Sequence, residues 1–303
     1  MMKRFISSVL VLGVCLTPLT VPVMVQPSWG QSQDSHIEQL RKLIQQAIQQ
    51  QQGQHRQAIQ TLQQILAIAR QFKIREVEAP ALNNIGFNYN SISQPQEALK
   101  YYNQALLIAR EVKYRSGEAA TLNNIGLVYK SISQPQEALK YYNQALPIMR
   151  EVSDRAGEAT TLSNIGAVYD NIGQRQEALK YFNQALSIRR EVGDRSGEAP
   201  TLNNIGAVYH RFSQPQEALK YYNQALPINR EVGDRAEEAA TLNNIGAAHN
   251  SIGQPQEALK YFNQALPIMQ KVSYRYGEAA TLTNIGFAYD SSICAVNFKD
   301  FVL

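Results

Sequence analysis

Cysteine is nearly absent from this 303-residue chain; only Cys15 and Cys294 occur. Cys15 lies in an apolar leader, which leaves Cys294 without a partner, so no internal disulfide framework is expected and stability must come from packing. Histidine is as scarce: His36, His55, His210 and His249 do not recur in register, and none has metal-ligating spacing. A Cys294 nucleophile with His210 or His249 as its base would lack any third group to orient the pair. Glycines do not cluster into a phosphate-cradling loop. These absences point away from an enzyme and from a resident metal or cofactor. Charge of one sign is missing too, since 29 Lys and Arg face 25 Asp and Glu, mixed along the chain without a basic stripe. That pattern excludes a nucleic-acid-binding surface.

What is present begins with a leader. Lys3 and Arg4 precede an apolar run from Phe5 to Cys15, then Pro18, Pro22 and Pro27, then Ser28-Trp29-Gly30 before polar Gln31. This order of parts predicts a secretory signal peptide over residues 1–30, with Ser28 and Gly30 as the small residues at its cleavage site. The mature chain would start at Gln31, lack tryptophan, and work outside the cytoplasm, in the periplasm or secreted. An uncleaved anchor over Phe5 to Val25 is the second reading, and only then does the protein touch a membrane.

From residue 75 onward the sequence repeats. The phrase NNIG, a Tyr three residues on, and then EALKYYNQAL return with small changes around Gly86, Gly126, Gly166, Gly206 and Gly246, forty residues apart. A fixed period in this range means one supersecondary unit stacked on its neighbours. Within Gly117–Ala156 two apolar stripes are separated by a break: Leu122, Ile125, Val128, Tyr129, then Ala138, Leu139, Tyr142, Ala145, Leu146. Two helices follow. Pro95, Pro135, Pro215 and Pro255 suit the first turn of the second helix, Gly193 and Gly233 suit its end, and Asp154, Asp194 and Asp234 suit the cap of the next. Residues 31–74 read as a degenerate first repeat that closes the array against water, residues 75–290 as five full repeats plus a first helix, and residues 291–303 as an irregular tail.

Leu122, Ile125, Gly126, Tyr129, Ala138, Tyr142 and Ala145 have a spacing that resembles the tetratricopeptide repeat, in its forty-residue, kinesin-light-chain-like form. The resemblance implies an all-α, right-handed superhelical solenoid of helical hairpins whose first helices line a concave groove. It also implies a non-enzymatic scaffold that holds a protein or peptide partner in that groove. Bacterial arrays resembling this one behind signal peptides are often joined to a C-terminal caspase-like protease domain. The alternative is therefore the sensor or targeting half of such a protease, cut short after Asp290. A third reading is self-association through the C-terminal end, where the last first helix lacks its partner.

Two features bend helix rules. Gly86, Gly126, Gly166, Gly206, Gly246 and Gly286 sit mid-helix, where glycine costs about 1 kcal/mol relative to alanine, so close helix contact is the expected reason. Pro147, Pro227 and Pro267 lie inside the second helices and predict a kink or weakened turn near Leu146, Leu226 and Leu266.

The expected binding face is a ladder of amides, Asn84, Asn124, Asn164, Asn204, Asn244 and Asn284, one before each Ile-Gly pair. Equivalent helices about 10 Å apart would present one Asn to roughly every third residue of an extended peptide rising about 3.3 Å per residue. An amide both donates and accepts, and so grips backbone without reading sequence. In arrays of the resembling family, asparagines at this place are similar to ligand-holding residues; the alternative is that they only fix repeat stacking. Selectivity then falls to positions that vary: Phe87, Leu127, Ala167, Ala207, Ala247 and Phe287, and Asn90, Lys130, Asp170, His210, Asn250 and Asp290. The Glu137/Lys140 pair and its equivalents read as solvated surface ion pairs.

Overall fold

A computed structural model describes residues 31–301, Gln52 apart, and the predicted signal peptide lies outside these residues. Thirteen α-helices are found among the described residues: α1 (Gln31–Gln50), α2 (His55–Gln71), α3 (Arg75–Ser91), α4 (Pro95–Glu111), α5 (Arg115–Ser131), α6 (Pro135–Glu151), α7 (Arg155–Asn171), α8 (Arg175–Glu191), α9 (Arg195–Arg211), α10 (Pro215–Val232), α11 (Arg235–Ser251), α12 (Pro255–Lys271) and α13 (Arg275–Phe301). The chain divides into two compact units between Asp154 and Arg155. Within each, successive helices pack on one another as hairpins.

The forty-residue period resolves into two of twenty. Each interior turn carries one residue with left-handed φ, Lys73, Ser93, Lys113, Ser133, Ser153, Ser213 and Ser273 at 55–59° and Gly173, Gly193, Gly233 and Gly253 at 69–79°. These are the αL residues that stop a helix: the Tyr114 amide reaches back to the Ala109 carbonyl at 2.8 Å and that of Gln134 to Tyr129 at 2.9 Å. Pro95, Pro135, Pro215 and Pro255 occupy the first helical position, as expected. Asp194 and Asp234 cap α9 and α11, accepting from the Gly197 and Glu237 amides at 2.9 and 3.0 Å.

The mid-helix glycines Gly86, Gly126, Gly166, Gly206 and Gly246 are sockets for aromatic rings, while Gly286 has none over it. A Cβ on Gly126 would lie 2.6 Å from the Tyr142 ring, and in the second unit one on Gly166 or Gly246 would lie 2.9 or 2.6 Å from Phe182 or Phe262. Tyr142, Phe182 and Phe262 are fully buried. Around each ring the core is aliphatic: Ala138, Ala145, Leu122 and Ile125 in the first unit, Ala258, Ala265, Leu242 and Ile245 in the second, all essentially without exposure. Glycine and alanine at these places let the backbones approach, and the ring fills what remains.

The helices α6, α10 and α12 are continuous across Pro147, Pro227 and Pro267, so the weakened turns expected there do not break them. What each proline removes is the single bond its imide nitrogen cannot donate to Asn143, Asn223 or Asn263, and both members of each pair are solvent-exposed, so water can satisfy the carbonyl. The irregular tail expected after Asp290 is corrected: α13 continues as helix to Phe301.

Candidate partner-binding surface

The first helices position the candidate residues, and in each unit side chains on neighbouring first helices are tied together forty-one positions apart. In the first unit the Asn124 amide donates to Asn83 Oδ1 at 3.1 Å, and Thr121 Oγ1 donates to the same oxygen at 3.2 Å. In the second, Asn284 and Thr281 make the same bonds to Asn243 Oδ1, both at 3.1 Å. A step of one period plus one residue is the offset at which equivalent faces of adjacent helices meet. Thus Asn124 and Asn284 each commit a donor sideways, which is stacking chemistry.

A second row of ties uses the variable positions. Asp170 Oδ2 accepts from Arg211, and Asp170 is only 11% exposed at its side chain. His210 Nε2 pairs with Ser251 Oγ at 3.0 Å, again forty-one positions on, and burial, then Arg211, lowers its basicity below the usual imidazole. Lys130 is half-buried in the first unit, where burial depresses its ammonium. Leu127 is half-exposed beside it.

Asn84 departs from the ladder. It is 6% exposed and accepts from Gln51 Nε2 at 3.3 Å, while Asn88 donates to its backbone carbonyl at 2.8 Å. Gln51, in the turn just after α1, covers it, and so the expectation that Asn84 faces a partner is corrected. Asn164 is half-buried, Asn204 is exposed and Asn244 is half-exposed. Asn204 and Asn244 make no side-chain hydrogen bond among the described residues, and Ala207 and Ala247 beside them are partly open.

Several ties at the turns were not foreseen. In every full repeat a Glu is buried at the start of the first helix, and at Glu78, Glu118, Glu198 and Glu238 two arginines clamp it. In the first unit Arg110 Nε reaches Glu118 Oε1 at 2.8 Å, and Arg115 bridges Glu118 to Glu151 on α6. In the second, Arg190 and Arg195 hold Glu198 at 2.7 and 2.6 Å, and Arg195 reaches Glu231 at 2.9 Å. Burial pushes the Glu198 carboxyl up, but the two guanidiniums together outweigh it and hold the group below the usual range. The recurrence of Arg and Glu three apart was the available signal. Tyrosines also pair across each hairpin: Tyr129 on Tyr141 with centroids 5.4 Å apart, Tyr209 on Tyr221 at 5.3 Å, and His249, standing where a Tyr stands elsewhere, on Tyr261 at 5.4 Å.

In the first unit an open cleft of about 630 Å³ is lined by Arg70, Lys73, Arg75, Gln104, Leu107 and Ile108 above Glu78. Arg75 is committed to Glu78 and Glu111. Among the described residues no three His, Cys, Asp or Glu side chains converge as a metal site, and no helix is long and apolar enough to cross a membrane.

The hairpins, glycine sockets and lateral ties define a helical-repeat protein of the kind that stacks like units. The chain belongs to the tetratricopeptide repeat family, whose model matches residues 77–151, 157–231 and 237–292. A shorter match, over residues 30–85, is to the family described as anaphase-promoting complex subunit 5. Among solved structures it is similar to BtubC (BKLC) from P. vanneervenii, at 18% identity and TM-score 0.64, covering 72% of this chain and 92% of that one. A kinesin-light-chain-type protein of nearly identical TPR-like repeats from Podosopora anserina is 20% identical, at TM-score 0.52, with 63% and 95% covered. The Rap conjugation gene regulator of plasmid pLS20, in complex with the Phr* peptide, is 18% identical at TM-score 0.58, with 68% and 57% covered. At these identities the likeness is one of fold. No curated protein matches the chain.

Proposed function

We propose that the protein is a non-enzymatic scaffold, exported from the cytoplasm, whose first helices hold an extended peptide or a segment of a protein partner. The observation that carries this reading is the stretch of the second unit in which Asn204 and Asn244 present amides with no other bond, each near a small residue, Ala207 or Ala247. Two amides one period apart suit the backbone of an extended chain, and the alanines leave room for its side chains. The pLS20 Rap regulator, similar in fold, is a protein seen with a peptide bound. Export rests on Lys3, Arg4, the Phe5–Cys15 run and the small residues Ser28 and Gly30.

The test is a selection on the chain from Gln31, using displayed random peptides of about twelve residues, long enough to meet several repeats. Selected peptides should bind about tenfold more weakly to the Asn204→Ala/Asn244→Ala variant, a change of about 1.4 kcal/mol, with its thermal unfolding unaltered. Equal affinity in a folded variant would sink the amide reading. Asn124→Ala, by contrast, should leave peptide affinity unchanged and lower stability.

A further inference from the structure

The hairpins repeat almost word for word, but the seam inside the second unit where α7 and α8 meet α9 departs from its counterparts. Three ties cross it. Asp170 on α7 accepts from Arg211 at the end of α9, the Arg175 guanidinium at the start of α8 lies 5.8 Å from the centre of the Phe212 ring, and Arg189 near the end of α8 donates to Asp194 Oδ2 at 3.0 Å. Where Asp170 and Arg211 stand, other full repeats pair Asn90 with Ser131, Lys130 with Asn171 and His210 with Ser251. Where Arg175 and Phe212 stand, they pair Pro95 with Ile132, Pro135 with Ile172 and Pro215 with Ile252. The place of Arg189 is held by Ala109, Met149, Asn229 and Met269.

Stability does not account for these ties. The side chains of Asp170 and Arg189 are 11% and 12% exposed, and each tie leaves a buried polar atom without a hydrogen bond among the described residues: Asp170 Oδ1, Arg175 Nε and Arg189 Nε. A buried polar atom left unbonded costs free energy, and a buried ion pair is commonly no more stabilising than well-packed apolar residues. Met149 and Met269, buried at the place of Arg189, fill it without that cost.

What the ties supply is discrimination between neighbours. The helix most easily mistaken for α9 is α11, which carries the same TLNNIG phrase forty residues on, so the nearest wrong fold docks α11 on α7 and α8 and loops out the hairpin between. In that register Asp170 would face Ser251 and Arg175 would face Ile252. Glu237 would take the place of Gly197, where even a Cβ would fall 1.2 Å from Arg189 Nη1. All three ties fail together. We infer that Asp170–Arg211, Arg175–Phe212 and Arg189–Asp194 form a register key that admits α9 to this seam and rejects α11. The key acts during folding and is independent of what the amide face binds.

The test is cross-linking after refolding. On adjacent first helices, residues one period plus one apart touch, as Asn243 and Asn284 do. Ser163 and Asn244 are two periods plus one apart and meet only when α11 takes the place of α9. The chain from Gln31 carrying Cys294→Ser, Ser163→Cys and Asn244→Cys is diluted from urea and treated with a short bis-maleimide. The unkeyed chain adds Asp170→Asn, Arg175→Pro, Arg189→Met, Arg211→Ser and Phe212→Ile, each the residue of another full repeat. Its cross-linked fraction should rise at least about fivefold over that of the keyed chain, with an equal or higher urea midpoint. Equal fractions overturn the proposal, as does a lower midpoint without added cross-linking, since the ties would then serve stability alone. Should the unkeyed chain fail to fold, Asp170→Arg in the keyed chain should raise cross-linking and Asp170→Arg/Arg211→Asp should return it to the keyed level. No difference between those two chains also overturns it.

Discussion

Gly246 and Gly286 stand at the same place in successive repeats of the second unit, in nearly the same words, TLNNIGAAH and TLTNIGFAY, yet their surroundings are opposite. Gly246 is buried under Phe262; Gly286 faces open space. The glycine that is required in one copy is merely tolerated in the other. Local sequence therefore says which residues are able to pack, and the neighbouring element decides whether they do.

The largest expected contrast is between aromatic rings on the two sides of this boundary. Phe262→Ala empties a fully buried site and should lower unfolding free energy by about 3–5 kcal/mol, whereas Phe287→Ala, at a residue 60% exposed, should stay within about 0.5 kcal/mol. Urea unfolding followed by far-UV circular dichroism measures both; similar losses would break the comparison. The paired glycines should differ in sign. Gly246→Ala forces the Phe262 ring aside and should cost about 1–3 kcal/mol, while Gly286→Ala adds helix propensity without a clash and should gain up to about 1 kcal/mol. A gain at both would mean that the ring over Gly246 moves freely.

A smaller contrast lies in acid. Glu198 is held by Arg190 and Arg195; at the corresponding Glu278, Gln270 replaces one arginine beside Arg275. Both carboxyls are held below their ordinary range, Glu198 by its arginines against burial and Glu278 by Gln270 and then Arg275. A depressed folded-state pKa stabilises above the unfolded value of about 4.3 and loses that contribution as pH falls through the folded value. Glu198→Gln should therefore shrink the difference in urea midpoint between pH 7 and about pH 3, and Glu278→Gln should shrink it less. An unaltered difference in Glu198→Gln would mean that the clamp does not set acid stability.

Much of the fold was legible because its signals are local. The two apolar stripes, the Pro that opens α4, α6, α10 and α12 and the Asp that caps α9 or α11 act within one or two turns of their own positions. Even the glycine sockets could be inferred, since a costly residue at a fixed place implies a close neighbour. The candidate site was less legible. Asn84 reads like Asn124 in sequence, yet Gln51 lies over one and Asn83 binds the other. Asp170 and His210 looked like selectivity positions and turn out to be tied to Arg211 and Ser251. The Arg and Glu clamp recurs as plainly as the asparagines, but a carboxylate three residues from an arginine looks like a surface pair until burial is known.

Sequence alone determined the period, the helices and the rings that fill the space between them, because propensity, capping and apolar spacing act over a few residues and repeat each time the words repeat. Tertiary structure decided which of six similar asparagines are spent on stacking, which carboxylates are buried, and which glycine lies open. Those outcomes depend on side chains forty-one positions away or on an adjacent helix, and identical local words carry no record of what stands beside them.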